Sequence, residues 1–331
     1  MADKLRWGIL ATGSIAHQFA KGLRVSKTGT LHATGSRILE KAEAFSKEYG
    51  GKGLGSYQSV LEDPEVDVVY IATPHATHGE WTKKAAQAGK GILCEKPFTL
   101  NAYEAKLALA EVRQRGVFFM EAFMFRCAPQ TRKLAQLLAD RAIGEVCAIN
   151  SEFAFHAGHD WDNFRATNAG GGGGLMDVGT YCVSLSRLVA GCEPEQASYS
   201  AHIGSKGYDE WGTGSMRFEN DVTAAFGTGV HLNLKNDARI YGSEGWIQIE
   251  SPWKTSEGSK MTLYRKGADP EEFSLGVSND QLYAIEADTV AEHFTEGEVP
   301  FQTVQDTLNQ MRALDTLRKS AGLKFEGELE A

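Results

Sequence analysis

Leu5-Arg6-Trp7-Gly8-Ile9-Leu10-Ala11-Thr12-Gly13-Ser14-Ile15-Ala16 reads as a short apolar strand that runs through a turn of small residues into a helix. The turn fits the pattern G-x-G-x-x-G/A with Ala11 in the first slot, Gly13 in the second and Ala16 in the third. Such a turn aims backbone amides and the positive end of a helix at one point, which suits a pyrophosphate. The residues that would form the cradle are Ala11, Thr12, Gly13, Ser14 and Ile15. Gly13 matters most, because a Cβ there would hold the backbone off the phosphate. An ordinary small-residue connection looks the same in isolation; the placement at the head of a longer array separates the two.

That array covers the first 125 residues, where β-type apolar runs alternate with helical patterns. Strands are expected at Leu5 to Leu10, Leu31 to Ser36, Val66 to Ile71, Gly91 to Cys94 and Val117 to Ala122. Helices are expected at Leu39 to Tyr49, and at Ala102 to Arg115 between an Asn101 cap and Gly116. The grammar is that of an α/β fold, a doubly wound parallel sheet of the Rossmann kind. Where a dinucleotide site normally carries an acid for the adenosine ribose, this chain has Gly35-Ser36-Arg37, with Lys41 one helical turn on. A guanidinium and an ammonium attract a 2′-phosphate that a carboxylate would repel, so NADP(H) is expected over NAD(H). The alternative is that Arg37 and Lys41 are merely the solvated start of a helix.

After Ile143 the pattern changes to longer β-type runs, at Val146 to Phe155, Thr213 to Phe218, Asp221 to Leu232, Ala238 to Tyr241 and Trp246 to Glu250. They imply an antiparallel sheet, joined by helices near 175–189, 282–294 and 304–320. The expected division is residues 1–125 for NADP binding and 126–331 for an α+β substrate-binding and dimerisation domain.

With 331 residues the chain is long enough for about two domains. Acids number 43 and bases 34, a net charge of −9 that argues against nucleic acid as a partner. Five cysteines, at 94, 127, 147, 182 and 192, form no CxxC and point to a reducing compartment. Without a leader-like start or an 18-residue apolar run, the expectation is a cytoplasmic protein with no membrane partner.

Ile71-Ala72-Thr73-Pro74, Glu95-Lys96-Pro97 and Asp177-Val178-Gly179-Thr180-Tyr181 occur together in this one chain. In these motifs it resembles the glucose-fructose oxidoreductase / inositol dehydrogenase (Gfo/Idh/MocA) family over nearly its whole length. Glu95-Lys96-Pro97-Phe98-Thr99-Leu100-Asn101 and Met120-Glu121-Ala122 are similar to its NADP-dependent D-xylose dehydrogenase and dimeric dihydrodiol dehydrogenase branch. The resemblance implies a C-terminal domain with a large, mostly antiparallel open sheet, often used for dimerisation, hence a homodimer or larger. It places Ala72, Thr73, Pro74, His75, His78, Glu95, Lys96 and Arg126 at the cofactor. It makes Lys96 and Tyr181 the general acid/base pair, with Asp177 orienting hydroxyls of a sugar, polyol or cyclic diol. Departures are Ala11 for the usual first glycine, Tyr181 where many members carry His, and Cys127-Ala128 where near relatives have an aromatic residue and His.

Phe155, His156, Trp161 and Arg165 are expected beside the substrate. His75-x-x-His78 and His156-x-x-His159, with Asp160, each look like half a metal site, but no cysteine cluster or H-E-x-x-H completes one, so no metal is expected. Gly170 to Gly174 either let backbone approach a ligand or form a flexible loop. The sequence favours hydride transfer between nicotinamide and a carbinol or carbonyl carbon. Two alternatives stay open: a sugar-sugar oxidoreductase that keeps its cofactor bound, and a dinucleotide-sensing regulator, which would need the cradle but no proton relay.

Overall fold

The computed structural model describes residues 4–158 and 161–330. They fall into two compact units, one made of residues up to 127 together with 278–308, the other of 128–277 together with 309–330.

The first unit begins β1 (Leu5–Leu10), α1 (Ser14–Val25), β2 (Gly29–Gly35), α2 (Leu39–Tyr49), β3 (Lys52–Leu54) and α3 (Tyr57–Glu62). It continues β4 (Val68–Ile71), α4 (His78–Gln87), β5 (Gly91–Glu95), α5 (Ala102–Arg115), β6 (Phe119–Ala122) and the short α6 (Met124–Cys127). The six strands pair in parallel in the order β3-β2-β1-β4-β5-β6. The order reverses beside β1, and that reversal opens a crevice at the carboxyl ends of the strands. Val68 to Ile71 and Ile92 to Cys94 are wholly buried, as expected of strands covered on both faces. Helix α5 has the caps its sequence announces: the Asn101 side chain accepts the Glu104 N–H at 2.9 Å, and Gly116 is left-handed.

The second unit opens with α7 (Pro129–Ala139) and β7 (Val146–Ala154), then a π-helical turn at Leu175–Gly179 that runs into α8 (Thr180–Ala190). The strands β8 (Pro194–Ile203), β9 (Asp209–Phe218), β10 (Thr223–Gly229), β11 (Ala238–Gly242), β12 (Gly245–Ile249), β13 (Lys260–Arg265) and β14 (Glu271–Ser274) follow. Eight strands join in the order β14-β13-β12-β11-β7-β10-β9-β8, antiparallel except for the β7–β10 pair. In β9, Met216 and Phe218 turn inward while Trp211, Thr213, Ser215 and Arg217 stay exposed, so one face of the sheet is core and the other is open.

The chain then returns to the first unit through α9 (Asn279–His293), and α10 (Val304–Ser320) has its first residues, to 308, in the first unit and the rest in the second. The expected span of 126–331 for the second domain is therefore interrupted. Tyr283 of α9 packs against Gly22 of α1, the Asp288 carboxylate accepts the hydroxyls of Ser26 and Thr28 at 2.6 Å each, and Phe294 stacks on Phe118 at 5.6 Å. Without these residues the α1 face of the first unit would lose its apolar cover. Among the described residues no helix is long and apolar enough to cross a membrane.

Candidate active site

In the first unit, β1 carries Ala11 and Thr12 to the point where the strand order reverses. The Ala11 N–H donates to the Gly35 carbonyl at 3.0 Å, and Ala11 itself has φ +95°, a conformation for which glycine is the usual choice. Gly13 stands before α1 with no neighbouring heavy atom within 4 Å of where a Cβ would project. Ser14 is exposed and Ile15 partly so. Free space in front of uncapped helix amides fits a pyrophosphate. At the end of β2 the Ser36 hydroxyl accepts the Ile38 N–H at 3.2 Å, while Arg37 and Lys41 are exposed and form no ion pair among the described residues. Helix α2 starts there without a side-chain cap, so two exposed cations and a helix N-terminus lie together at the end of β2.

Strand β4 leads to Ala72, Thr73 and Pro74, and β5 to Glu95 and the cis Lys96–Pro97 peptide. The Glu95 carboxylate accepts the Tyr70 hydroxyl and the Lys96 N–H, the latter at 3.2 Å. Glu286 reaches this group from α9; it is fully buried, and neither of its oxygens has a hydrogen-bonding partner among the described residues. Burial first, and then the charge of Glu95, hold the Glu286 carboxyl well above the usual range. The two acids thus differ: Glu95 accepts hydrogen bonds, while burial disfavours the charged form of Glu286. Lys96 follows as a partly exposed side chain on a turn held from beneath.

Two expected cofactor contacts are corrected here. His78 is fully buried, its Nε2 2.7 Å from the Thr73 carbonyl and its Nδ1 3.1 Å from the Pro97 carbonyl. Burial lowers it to about 4 against the pull of the two carbonyls, and the ring lies between the loop after β4 and the turn after β5. Arg126 is buried with its guanidinium on Asp306 and the Phe301 carbonyl, which makes it an internal brace of the first unit. His75 is also buried, its ring centroid 5.7 Å from that of His78.

In the second unit Asp177 lies in the π turn and Tyr181 in the first turn of α8; both are buried. Arg165 Nη1 is 3.2 Å from the Asp177 carboxylate and its guanidinium lies 5.0 Å over the Trp161 ring. The glycine run is neither loose nor merely permissive. A Cβ on Gly172 would collide with the Arg165 carbonyl and one on Gly173 with the Asp209 carboxylate, so the run lets two backbone segments touch and delivers Arg165 to Asp177. The Tyr181 ring sits edge-on to Phe153 at 5.2 Å and to Trp253 at 5.9 Å, and those two rings stack on each other at 5.6 Å. Phe153 and Trp253 are additions to the expected site; Trp253 lies in an irregular loop where no periodicity singles it out. Phe155 packs edge-on to Trp161, and His156, exposed, bridges to His231. The π turn opens beneath Asp209, whose carboxylate accepts the Leu175 N–H at 2.7 Å.

His159 and Asp160 lie outside the described residues. Among the described residues one grouping has metal-ligand character, His32, Asp63 and Glu65, and the Lys52 ammonium already lies 3.0 Å from Asp63.

Comparison with known proteins agrees with both units. A family model described as an oxidoreductase family with an NAD-binding Rossmann fold matches residues 5–123, and the GFO/IDH/MocA C-terminal domain matches residues 131–248. Trans-1,2-dihydrobenzene-1,2-diol dehydrogenase of Mus musculus is 32% identical, with 97% of this chain and 98% of that protein covered. The Homo sapiens enzyme of the same name is 30% identical over the same shares. A 3-ketoreductase from Actinomadura kijaniata, solved with NADP and TDP-benzene, superposes with a TM-score of 0.86 at 27% identity, with 96% of this chain and 98% of that one covered. An aldose-aldose oxidoreductase from Caulobacter crescentus shares the fold at a TM-score of 0.89 and 24% identity, covering 96% and 98%. With both of its units matched by the family's models and its whole length by the dihydrodiol dehydrogenases, the chain belongs to the Gfo/Idh/MocA family of oxidoreductases.

Proposed function

We propose that this oxidoreductase uses NADP(H) to interconvert a carbinol and a carbonyl on a sugar, polyol or cyclic diol, with Lys96 and Tyr181 handling the proton and Asp177 and Arg165 orienting the substrate. The observation that carries the reading is the buried Asp177, paired with Arg165 and one helical turn from Tyr181 among the rings of Phe153 and Trp253. A carboxylate and a guanidinium supply acceptors and donors for neighbouring hydroxyls, and aromatic faces cover the apolar face of a ring. Bound nicotinamide supplies the hydride acceptor in one direction and the donor in the other. In oxidation, the hydroxyl proton passes to Lys96 or Tyr181 as the carbon–hydrogen bond gives up its electron pair; in reduction the same groups return a proton to the forming alkoxide. Gly13 and the amides of α1 hold the pyrophosphate, and Arg37 with Lys41 holds the 2′-phosphate. A proton relay distinguishes this reading from a dinucleotide sensor.

The test is absorbance at the reduced-nicotinamide band with NADP+ and a panel of D-glucose, D-xylose and trans-1,2-dihydrobenzene-1,2-diol. Lys96→Met and Tyr181→Phe are each expected to lower kcat about 10² to 10⁴ fold while NADP+ binding survives. If both groups serve one proton, the double variant falls short of the product of the singles. Near-full kcat in both variants on every substrate would overturn the assignment of the proton to Lys96 and Tyr181, whereas NADP+ binding with no turnover of any substrate by the wild type would return the chain to the sensor reading.

A further inference from the structure

Asp209 opens β9 and is fully buried, two backbone steps from both Asp177 and Arg165 by way of Leu175 and Gly173. Its Oδ2 accepts the Leu175 N–H at 2.7 Å and the Tyr199 hydroxyl at 2.7 Å. Leu175 begins the helical run that carries Asp177 and Tyr181, and the first amides of such a run have no partner within it. An anion placed there satisfies one of them and is favoured by the helix dipole. Its Oδ1 faces Gly173, at φ +108°, and has no hydrogen-bonding partner among the described residues. The Gly173 N–H donates to the Arg165 carbonyl at 2.9 Å, and its carbonyl accepts the Asp177 N–H at 3.0 Å. One buried carboxylate therefore holds the first amide of the run that carries Asp177 and lies against Gly173, whose backbone bonds both Arg165 and Asp177.

We propose that Asp209 is a positioning residue whose ionised form holds Asp177 and Arg165 in their substrate-binding arrangement and whose protonated form relaxes it. This role rests on the reading of Asp177 and Arg165 as substrate groups. Protonation converts an acceptor-only carboxylate into a group that must also donate, at a place crowded with amide and hydroxyl donors. The groups facing it are Tyr199 on β8, Tyr208 just before β9, and the amides of Gly174, Leu175 and Asp209 itself. Burial raises Asp209 to about 7, against the pull of the Tyr199 and amide hydrogen bonds toward the ionised form. Its charge thus changes inside the range in which dehydrogenases are assayed.

The experiment measures kcat and KM from pH 6 to pH 8 for the most active member of the panel above, with NADP+ binding measured separately by fluorescence. A midpoint near 7 changes the ionised fraction about tenfold over that range, so wild-type kcat/KM is expected to fall by about that factor toward pH 6, chiefly in KM. Asp209→Asn should be flat across the range at the low, acid-side value. Tyr199→Phe removes a donor that favours the anion, so its midpoint should move to higher pH. NADP+ affinity should be unchanged in both, and the fall in melting temperature of the wild type from pH 4 to pH 7 should be shallower in Asp209→Asn. Parallel profiles in wild type and Asp209→Asn, or an unmoved midpoint in Tyr199→Phe, would overturn the proposal. Asp177→Asn without effect on KM would overturn the reading of Asp177 and this role with it. A large Asp177→Asn effect beside a silent Asp209→Asn would overturn this role alone.

Discussion

Arg37 and Lys41 are two exposed cations at the uncapped start of α2, and in the proposed function they hold the 2′-phosphate of NADP(H). Removing a charge-assisted contact to phosphate costs about 1.5 to 3 kcal/mol, a weakening of roughly tenfold to a hundredfold. Arg37→Ala is therefore expected to weaken NADP(H) by that factor and leave NAD(H) almost unchanged, as titration of each cofactor by fluorescence would reveal. Equal losses for both would remove Arg37 from the 2′-phosphate role. Other single residues resist reading from sequence for a physical reason. His78 and Arg126 carry the chemistry of a binding group, but their partners are carbonyls and a carboxylate contributed by other segments, so only the folded contacts show that both face inward. Trp253 and Asp209 are the converse, positions without a local motif that tertiary packing brings to the site.

Among the elements, periodicity and caps made the regular ones legible. Helix α5 lies between Asn101 and Gly116, and α2 runs from Leu39 to Tyr49, at the bounds their end residues announce. Strands β8, β13 and β14 escape such a reading; in β8 the residues that alternate with Gln196, Ser198 and Ser200 are the small Ala197 and Ala201 beside one ring, Tyr199, so the apolar face is faint in sequence. The π turn is likewise invisible to a 3.6-residue pattern. Helix α9 brings Glu286 against the sheet, and this has a measurable consequence. An unfolded Glu286 loses its proton as pH rises through the ordinary carboxyl range, whereas the folded one keeps it, so the folded state binds more protons and stability falls with rising pH above that range. Glu286→Gln escapes this loss and should gain on the wild type by at most about 1.4 kcal/mol per pH unit. Urea unfolding at pH 5 and pH 8 measures the difference; a constant offset between the two proteins would mean that Glu286 is ionised in the fold.

At the scale of the whole molecule, the open face of the eight-stranded sheet carries Trp211, stacked on His202 at 4.1 Å, and the row Tyr241, Trp246 and Tyr264. Aromatic surface of this extent is typical of protein–protein contacts, and the expected state is a homodimer or larger. Light scattering at micromolar concentration should exceed the monomer mass of 36.0 kDa; a value at that mass would refute association. The division of the chain, in which residues 128–277 interrupt the first unit, also sets an order of events during synthesis. When residue 127 leaves the ribosome the parallel sheet is complete in strands, but α9, which packs on Gly22 of α1, is still more than a hundred residues from being translated. The nascent nucleotide-binding half must wait with an apolar flank exposed until nearly the whole message has been read. The intervening antiparallel unit has all eight of its strands by residue 274 but still lacks residues 309–330, so both halves stay open until the end of the chain has been made.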